Sequence, residues 1–587
     1  MRLLRRLSAI LLAALCVVLG AVDPPTAEQV AEYRRDGTLA ARIEAVKALG
    51  HHRVPADRIA AAVQRLQRQI LRNQGLSEVE VDSRMAPPPA WRGLPTKGAP
   101  KILVMLLDFP DYTAQVSKAE IEARIFGDGV PDEYPVESLR NYYKRSSYDQ
   151  LQLSGSVLGY YRYPTNKASI PVTTNQRTTR EGIIKELFQH FDAQGHDFSQ
   201  YDNDGDGEID YFVVIYTGPN NGWGNFWWAY QTSYGDRTFK VDGKGLSTYV
   251  WQYLDQSQSN SGGNPTRFRC RTLVHETGHA LGLPDYYDYD DAAGPRGGVG
   301  GLDMMAANKG DHNAFSKWLL DWITPTPVNT ARSGVALRPK SEHGDALAVM
   351  PTLPAGGSAF GEYFLVENRQ RTLNDADTSW GLAGLMIWHV DATLDASQSD
   401  FVYDNSYSAH KLLRLMEADG LEHIEQGGTG HQADLYTAGK EFGPMTTPNS
   451  KAYSGADTNV GIKNISEPTP SITLDVTFDA PPLGITAIAP TTGPVGTVVT
   501  LTGKGFTGAS RVAFNGASAT YTVANDTQVT ATVPSGATTG QVSITTPGGT
   551  VSGPTFQVGT GPVITSFSPA RGVAGTLVTV TGTGFTG

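Results

Sequence analysis

Residues 275–285 read HETGHALGLPD, a segment that places strong demands on any fold. His275 and His279 are four positions apart, so a helix presents both imidazoles on one face, where they can hold one metal ion. Glu276 projects beside them and can take a proton from a water that the metal activates. Gly282 permits a positive φ, which ends the helix sharply and brings Asp285 round as a third ligand. The segment therefore predicts an open zinc site on His275, His279 and Asp285, with Glu276 as the catalytic base.

The alternative interpretation of this segment is an ordinary helix that carries these residues by chance. HExxH alone arises by chance in a chain of 587 residues at on the order of a few per cent. The fixed positions of Gly282 and Asp285 lower that chance on the order of a hundredfold. The segment GGLDMMAANKG follows about 20 residues later and is similar to the Met-turn of metzincins. We expect Met305, or else Met304, to pack beneath the ligands, although either methionine alone is more simply a core residue.

The first residues have the order of a secretory signal peptide, with MRLLRR, the apolar run LSAILLAALCVVLGA and then the polar VDPPTAEQ. We predict a signal peptide over residues 1–21 and a secreted, extracellular protein, with cell-surface association as an alternative. Cys16 raises the possibility of a lipid anchor, but Leu15 before it is too bulky for the small residue that such signals use. The run is shorter than the roughly 20 residues of a membrane span, so no span is expected.

The chain carries a formal charge of −11 and has no Lys/Arg tract beyond its first positions. This charge argues against nucleic acid as a partner. Its length exceeds what one hydrophobic core supports, so we predict several domains in a monomeric protein. Cys270 is the one cysteine after the predicted signal peptide, which leaves no intramolecular disulfide. A buried thiol is its simplest interpretation, because its helical offset from His275 points it away from the ligand face.

The pattern of apolar residues divides the rest of the chain. Residues 22–98 combine helical periodicity with a Pro/Gly-rich linker and are predicted to form a removable helical pro-region. Residues 99–327 mix apolar strands such as KILVMLLDF and YFVVIYTG with long helices, which predicts a catalytic domain of α+β or α/β type. Residues 328–480 contain short alternating runs such as EYFLVEN and GLMIWHV and are predicted to form a β-rich domain.

The C-terminal part contains an internal repeat. ITAIAPTTGPVGTVVTLTGKGFTG at 485–508 returns as ITSFSPARGVAGTLVTVTGTGFTG at 564–587. Short Val/Thr-rich strands and glycine turns lie between the copies, so each unit is predicted to be an immunoglobulin-like β-sandwich. We assign residues 482–559 to the first unit and 560–587 to a second unit that we expect to be truncated.

An acidic segment, DNDGDGEID at 202–210, has the ligand spacing of the first nine positions of an EF-hand loop. Val213 stands where such a loop has its bidentate glutamate, so the site would need another ligand or bind more weakly. The alternative is a solvated acidic turn, but carboxylates this close repel one another without a cation. The sequence therefore predicts a structural Ca²⁺ site, with five candidate ligands: Asp202, Asp204, Asp206, Glu208 and Asp210.

Other polar residues near the predicted zinc site allow no choice from sequence alone. One of Tyr286, Tyr287 and His312 could donate a hydrogen bond to the oxyanion, although packing or loop capping is the simpler interpretation for each. The aspartates at 288, 290 and 291 could form a second cation site, but a solvated loop is an equally good interpretation. His51 and His52, in the predicted pro-region, are most simply surface residues.

Longer segments surround these motifs: KILVMLLDFPD, SLRNYYKRSSYDQLQLSG, DFSQYDNDGDGEIDYFVVIYTG, VHETGHALGLPDYYD, LDMMA with NAFSKWLLDW, and EYFLVENRQ with GLMIWHVD. Together they resemble the immune inhibitor A family of secreted bacterial metallopeptidases over residues 99 to 480. The resemblance implies a metzincin-like protease domain with zinc on His275, His279 and Asp285, Glu276 as general base and Met305 in the turn. It also implies calcium on the acidic loop and an inhibitory pro-region. The repeated tail resembles IPT/TIG domains.

Two functional hypotheses follow from the sequence. The first is a secreted zinc metalloendopeptidase, activated from a zymogen, that hydrolyses peptide bonds of extracellular proteins or peptides. The second is a catalytically inert surface protein that binds carbohydrate or mediates adhesion through its IPT/TIG repeats. The intact set of ligands and base favours the first, because a decayed enzyme usually loses one of them.

Overall fold

The computed structural model describes residues 25–85, 91, 93–172, 176–254, 267–289, 298–352, 360–376, 382–406, 409–479, 483–547, 549–559, 563–583 and 585. The predicted signal peptide, with Cys16, lies outside these residues. The chain divides into two compact units, the first ending at Thr477 and the second beginning at Phe478. Within the residues given above, the helices are too short or too polar to cross a membrane.

The helices of the first unit are α1 Ala27–Arg35, α2 Leu39–Lys47, α3 Ala56–Asn73, α4 Glu78–Arg84, α5 Lys118–Ile125, α6 Leu139–Ser146, α7 Gln176–Asp192, α8 Arg271–Ala280, α9 Met304–Ala307 and α10 Ala314–Leu319. The first four agree with the helical periodicity of the N-terminal segment. Capping boxes start α1 at Thr26 and α4 at Ser77. In each, the side chain of the cap residue accepts from the N3 amide, and the N3 side chain accepts from the amide of the cap residue.

The strands of the first unit are β1 Lys101–Asp108, β2 Ser154–Arg162, β3 Glu208–Tyr216, β4 Tyr230–Ser233, β5 Gly245–Tyr253, β6 Thr326–Val328, β7 Arg332–Leu337, β8 Leu347–Val349, β9 Glu362–Arg369, β10 Gly384–Asp391, β11 Leu413–Leu415, β12 Val460–Lys463 and β13 Ile472–Phe478. They form three sheets, in the orders β2-β1-β3-β5-β4, β11-β10-β9-β8-β6 and β12-β13-β7.

The first sheet carries the functional region. Strands β1, β2, β3 and β5 run parallel, while β4 pairs antiparallel with β5 at the edge. Seven of the eight residues of β1 are buried, as its continuous apolar run predicts for a strand covered on both faces. Helices α5, α6 and α7 connect these parallel strands. Helical crossovers between parallel strands make this region α/β, so of the two predicted arrangements the α/β one is confirmed and the α+β one is wrong.

The second and third sheets confirm the β-rich character of the region that follows. The predicted boundary at residue 327 falls inside β6, which pairs with β8. Buried polar contacts also connect the two regions: the Lys340 ammonium lies 3.1 Å from Asp375 and 4.0 Å from Asp311, and the Asp311 amide donates to Asp375 Oδ1 at 3.0 Å. Ser146 on α6 donates a hydrogen bond to Asp311 as well. The predicted catalytic and β-rich regions therefore share one polar network in their interior.

The second unit contains β14 Gly484–Ala489, β15 Thr492–Gly493, β16 Val498–Lys504, β17 Arg511–Phe514, β18 Ala517–Ser518, β19 Thr520–Asn525, β20 Gln528–Thr532, β21 Gly540–Thr546, β22 Gly549–Val558, β23 Val563–Ser568 and β24 Thr579–Thr583. Strands β14-β16-β20-β19 form one sheet and β15-β22-β21-β17-β18 another. Alternate residues such as Leu501, Phe514 and Phe556 point into a common apolar core. Strands β23 and β24 pair separately as an antiparallel ribbon.

Candidate metal centre

Helix α8 and the turn after it carry the predicted metal ligands. Residues 272–280 of α8 are all buried. Gly282 has a φ of +98°, and the Leu283 amide donates to the Gly278 carbonyl, so the chain leaves the helix in the predicted sharp turn. The turn returns Asp285 to the helix, where its carboxylate faces both histidines.

The three predicted ligand atoms converge on one point. The Nε2 atoms of His275 and His279 are 3.2 Å apart, and Asp285 Oδ1 lies 3.0 Å from the first and 3.4 Å from the second. Ligands of a tetrahedral zinc ion are separated by about 3.3 Å, given bond lengths of about 2.0–2.2 Å. The donor set and its spacing fit a zinc ion.

Hydrogen bonds leave these ligand atoms available. His275 Nδ1 donates to the Met304 carbonyl at 3.0 Å, and His279 Nδ1 donates to the Leu283 carbonyl at 2.8 Å, so each ring directs Nε2 at the centre. Asp285 Oδ1 is buried and has no hydrogen-bond donor. Such an oxygen is costly to bury unless a cation compensates it.

The electrostatics of the centre also favour a cation. Burial alone would lower the pKa of His275, but the adjacent Asp285 carboxylate raises it to about 9. Burial works against ionisation of Asp285 too, yet His279 and His275 hold the pKa of its carboxyl well below the usual range. Asp285 therefore remains an anion that attracts positive charge to this point.

Glu276 lies beside the three ligand atoms and is almost completely buried. Its Oε2 accepts a hydrogen bond from the Gln231 amide on β4 at 2.8 Å. Burial raises the pKa of its carboxyl above the usual range, and the two histidines oppose that shift. A carboxylate with a raised pKa next to a metal position can both accept and return a proton.

The two methionines of the predicted Met-turn occupy different places beneath α8. A Cβ added at Gly278 would lie 2.4 Å from Met305 Sδ, so Met305 packs directly under the helix turn between the two histidines. Met304 contributes its carbonyl to His275, as described above. Both side chains are fully buried. The structure thus places Met305 where the turn was predicted to supply packing.

Tyr289 is a residue of the centre that the sequence did not reveal. Its hydroxyl donates to Asp285 Oδ2 and lies 3.0 Å from the Tyr287 hydroxyl. These contacts fix the carboxylate so that Oδ1 faces the histidines. No spacing rule connects Tyr289 with the ligands, because its position depends on the path of the loop after Pro284.

The other candidates for oxyanion stabilisation lie in different surroundings. The Tyr286 hydroxyl is 2.8 Å from Ser316 Oγ. His312 packs edge-on against Tyr142, and its Nδ1 is 3.8 Å from Asp303 Oδ1. These contacts assign packing roles to Tyr286 and His312. Asp288 is buried, and residues 290 and 291 of the second possible cation site lie outside the described part of the chain.

The predicted pro-region lies directly against the centre. The ring of His51 stacks on that of His279 with centroids 3.8 Å apart, and its Nε2 is 3.1 Å from Gln231 Oε1. The Asp285 amide donates to the His51 carbonyl at 2.7 Å. The prediction that His51 is a surface residue is wrong. It is buried by contacts with residues about 180 and 230 positions later in the sequence, and local sequence patterns do not predict such contacts.

Further contacts hold the segment around His51 in place. Arg42 donates to the Trp223 carbonyl, Arg53 forms an ion pair with Asp400, and Arg65 donates to the Trp318 carbonyl at 2.5 Å. A cavity of about 290 Å³ remains between the segment and the cleft, lined by residues of both, including Leu49, Gly50, Trp91, Gln231, Ser233 and His279. Residues 39–65 therefore cover the centre.

The acidic loop brings together four of its five predicted ligands. One carboxylate oxygen from each of Asp202, Asp204, Asp206 and Asp210 lies within 4.8 Å of the others. The Glu208 side chain instead lies 3.2 Å from Arg237. The possible ligand from Glu208 is therefore its backbone carbonyl, as at position seven of an EF-hand. Gly207 has a φ of +92°, which suits the sharp turn at position six.

Charge on the acidic loop is only partly compensated. Lys244 lies 2.6 Å from Asp202. Burial raises the pKa of Asp210 to about 7, and the charges of Asp204 and Asp206 add to that shift. A divalent cation would relieve this repulsion.

Cys270 caps α8 away from the ligand atoms. Its thiol is buried and donates to the Val136 carbonyl at 3.1 Å. Burial raises the pKa of the thiol to about 12, so it remains protonated. This agrees with its interpretation as a buried structural residue.

Comparison with known proteins identifies two parts of the chain. Residues 91–310 match the family described as immune inhibitor A peptidase M6, catalytic domain, and residues 482–558 and 562–587 match the IPT/TIG domain. Immune inhibitor A from Bacillus thuringiensis subsp. alesti is 23% identical over 238 residues, which cover 32% of this chain and 34% of that protein. This chain thus spans about a third of the length of that relative.

Solved structures add little to this comparison. A crystal structure of an auxiliary nutrient binding protein from Bacteroides ovatus is 20% identical, covers 15% of this chain and 23% of its own, and superposes with a TM-score of 0.14. A TM-score this low gives no indication of a shared overall fold.

Proposed function

We propose that this chain is a zinc-dependent endopeptidase. Its residues 91–310 match the peptidase M6 catalytic domain of the immune inhibitor A family, and its C-terminal part matches the IPT/TIG domain. Its substrates are proteins and peptides. The convergence of His275, His279 and Asp285 beside Glu276 is the observation that carries the proposal.

The chemistry divides between the ion and the chain. A Zn²⁺ ion held by the three ligands supplies a Lewis acid that polarises the scissile carbonyl and increases the acidity of a neighbouring water. Glu276 accepts the proton of the attacking water, and burial, which raises its pKa, helps it to hold that proton. The protonated carboxyl then donates to the leaving nitrogen. The Gln231 amide keeps Oε2 oriented throughout these transfers.

The geometry of β4 supports a substrate bound in extended form. β4 is an edge strand and pairs with β5 alone among the strands of the described chain. An extended peptide can add to such an edge through backbone hydrogen bonds. Because Gln231 on β4 contacts Glu276, a peptide on this edge would pass the reacting groups.

The decisive experiment compares two glutamate-to-glutamine substitutions in the mature protein. Glu276→Gln removes the base and keeps its size, so casein hydrolysis is expected to fall by 10²-fold or more, the lower range of general base catalysis. The matched control is Glu122→Gln, on the exposed face of α5, which should keep full activity. A chelator should abolish activity and zinc should restore it.

Two results contradict the proposal. Unchanged proteolysis by Glu276→Gln would exclude the proposed base. Failure of the wild-type protein to bind zinc would favour the alternative of an inert surface protein that acts through its IPT/TIG repeats.

We also propose that the protein is secreted as a monomeric zymogen. In this scheme residues 1–21 are the signal peptide, 22–98 the inhibitory pro-region, 99–327 the catalytic domain and 328–480 its β-rich companion. The stack of His51 on His279 and the cover formed by residues 39–65 support latency, because they occupy the space that a substrate needs. Cleavage within residues 86–98 would release the cover.

The acidic loop is proposed to bind Ca²⁺ through Asp202, Asp204, Asp206 and Asp210, with the Glu208 carbonyl as a further ligand. The ion would fix the loop at the start of β3 and stabilise the sheet. A calcium-selective chelator should then lower the Tm of the wild-type protein, and the Asp204→Asn/Asp206→Asn variant should lose that response. An identical response in both would exclude the site.

A further inference from the structure

A second cluster of metal-ligating side chains lies in the β-rich region, between β11 and β12. One ligand atom from each of Asp419, His423, His431 and Asp434 lies within 4.8 Å of the others. The cluster belongs to the loop 417–434, which is separate from the predicted zinc and calcium sites. We propose that these four residues bind a second Zn²⁺ ion.

The internal distances of the cluster suit one ion. Asp419 Oδ2 lies 3.9 Å from His423 Nδ1 and 3.8 Å from His431 Nε2, and the two imidazole centroids are 5.0 Å apart with planes inclined at 73°. Ligands around tetrahedral zinc are about 3.3 Å apart. Both histidines are partly exposed, so their side chains have room to rotate toward that spacing.

Asp434 supplies an independent indication of a ligand. Its side chain is fully buried, and Oδ1 has no hydrogen-bond donor although His431 Nδ1 is 2.9 Å away. Its other oxygen accepts the His431 amide at 2.7 Å, which fixes the carboxylate in place. His423 Nδ1 is likewise buried without a hydrogen-bond partner. Two buried polar atoms without a hydrogen-bond partner in one cluster are expected where an ion is bound.

The charge of the loop also favours a cation. Three carboxylates lie close together, those of Glu417, Asp419 and Asp434, and in the described chain only histidines come within 4.0 Å of them as ion-pair partners. Both Glu417 oxygens already accept backbone amides, from His423 and Ile424. Glu417 therefore shapes the loop, and the remaining two carboxylates and two imidazoles stay available to the ion.

The type of ligand selects the metal. Imidazole nitrogen is a good ligand for zinc and a poor one for calcium or magnesium, which take oxygen. Two histidines and two aspartates complete a closed tetrahedral set, as in structural rather than catalytic zinc sites. The second ion therefore has a structural role.

The position of the loop indicates what the ion stabilises. The Gly430 amide donates to the Gly300 carbonyl at 2.9 Å, and a Cβ added at Gly300 would lie 2.6 Å from Ile424. Residues 298–302 lead directly into the turn with Met305. An ion that fixes the loop 417–434 therefore supports the segment beneath the catalytic centre.

The test measures zinc by mass spectrometry on the full chain carrying Glu276→Gln, which prevents autolysis. The expected content is two zinc ions per chain. His423→Ala with His431→Ala should reduce it to one, His275→Ala with His279→Ala should also reduce it to one, and all four changes together should leave none. The matched control is His343→Ala, a half-buried histidine outside both clusters, which should retain two ions.

Each alternative outcome decides the question. A content of one ion in the Glu276→Gln chain that survives the His423/His431 change overturns the second site and leaves the proposed function intact. If the chain holds one ion that the His275/His279 variant retains and the His423/His431 variant loses, the second site is supported and the catalytic one is overturned. If the His423/His431 variant does not fold, anomalous diffraction at the zinc edge on crystals of the Glu276→Gln chain replaces it. A peak between His423 and His431 supports the site, and its absence beside a peak at His275 overturns it.

Discussion

Substitution of His51 by alanine tests the proposed latency directly. The change removes the stack on His279 and the hydrogen bond to Gln231, and leaves the backbone bond from Asp285 in place. A buried neutral hydrogen bond contributes about 1 kcal/mol and an aromatic stack about 0.5–1.5 kcal/mol, with some apolar contact added. The closed state of the pro-region should therefore lose about 2–3 kcal/mol, which increases the open fraction about 30- to 150-fold.

The assay is the initial rate of peptide hydrolysis by the uncut chain, compared with the rate of its own mature form. His51→Ala should raise the rate of the uncut chain by that factor and leave the mature rate unchanged, because His51 is then absent. His51→Phe keeps a ring on His279 and loses only the hydrogen bond, so a rise of about fivefold is expected. Arg72→Ala, which breaks an exposed ion pair inside the pro-region, is the matched control and should have no effect.

The reasoning is refuted if uncut His51→Ala is as inactive as the uncut wild type while its mature form is fully active. The contacts of His51 would then accompany closure without stabilising it. A loss of folding, measured by circular dichroism, is not expected, because the substitution creates no buried charge.

Three further predictions concern the centre and its support. Tyr289→Phe removes the donor to Asp285 Oδ2, so zinc affinity should fall about 10- to 100-fold in a competition titration, and unchanged affinity would exclude its orienting role. Gly278→Ala places a methyl group against Met305 Sδ and should lower the free energy of unfolding by about 1–3 kcal/mol. Gly182→Ala, at a helical position with open space around it, should leave the free energy of unfolding unchanged. Asp311→Asn breaks the buried pair with Lys317 and should cost about 3–5 kcal/mol near pH 7 in denaturant titrations. Burial opposes ionisation of Asp311, but Lys317 and Lys340 hold its pKa below the usual range. The stability that the ion pair contributes is therefore present above about pH 4 and is lost as the pH falls through the lower pKa of the folded state. A difference in unfolding free energy between wild type and variant that widens on acidification would contradict this reasoning.

Local sequence rules were sufficient for the helix and turn of the centre. The spacing of His275 and His279 and the glycine at 282 act through one helix and one turn, where side-chain directions follow from backbone geometry. The structure places Asp285 and Met305 beside them as the sequence indicated. The same rules identified the helical N-terminal segment and the central strand β1.

Long-range contacts explain what sequence reasoning missed. Gln231, Tyr289 and His51 reach the centre from an edge strand, a loop and the N-terminal segment, and each position depends on packing that no periodicity encodes. His423 and His431 are eight residues apart in an irregular loop, so their spacing matches no ligand pattern. The α/β connectivity also depends on strand order, which apolar runs alone do not specify.

The hydrogen bonds that hold the His51 segment have a consequence for ligands of the proposed mature form. The proposed loss of residues 22–98 would leave the Asp285 amide without its acceptor and Gln231 Oε1 without its partner, and both groups would then face the emptied cleft. A buried donor and acceptor at fixed positions are a template for a peptide backbone or an amide side chain. The Gly50-His51-His52 sequence is therefore the natural starting point for a short peptide inhibitor, since it already carries the complement of both groups.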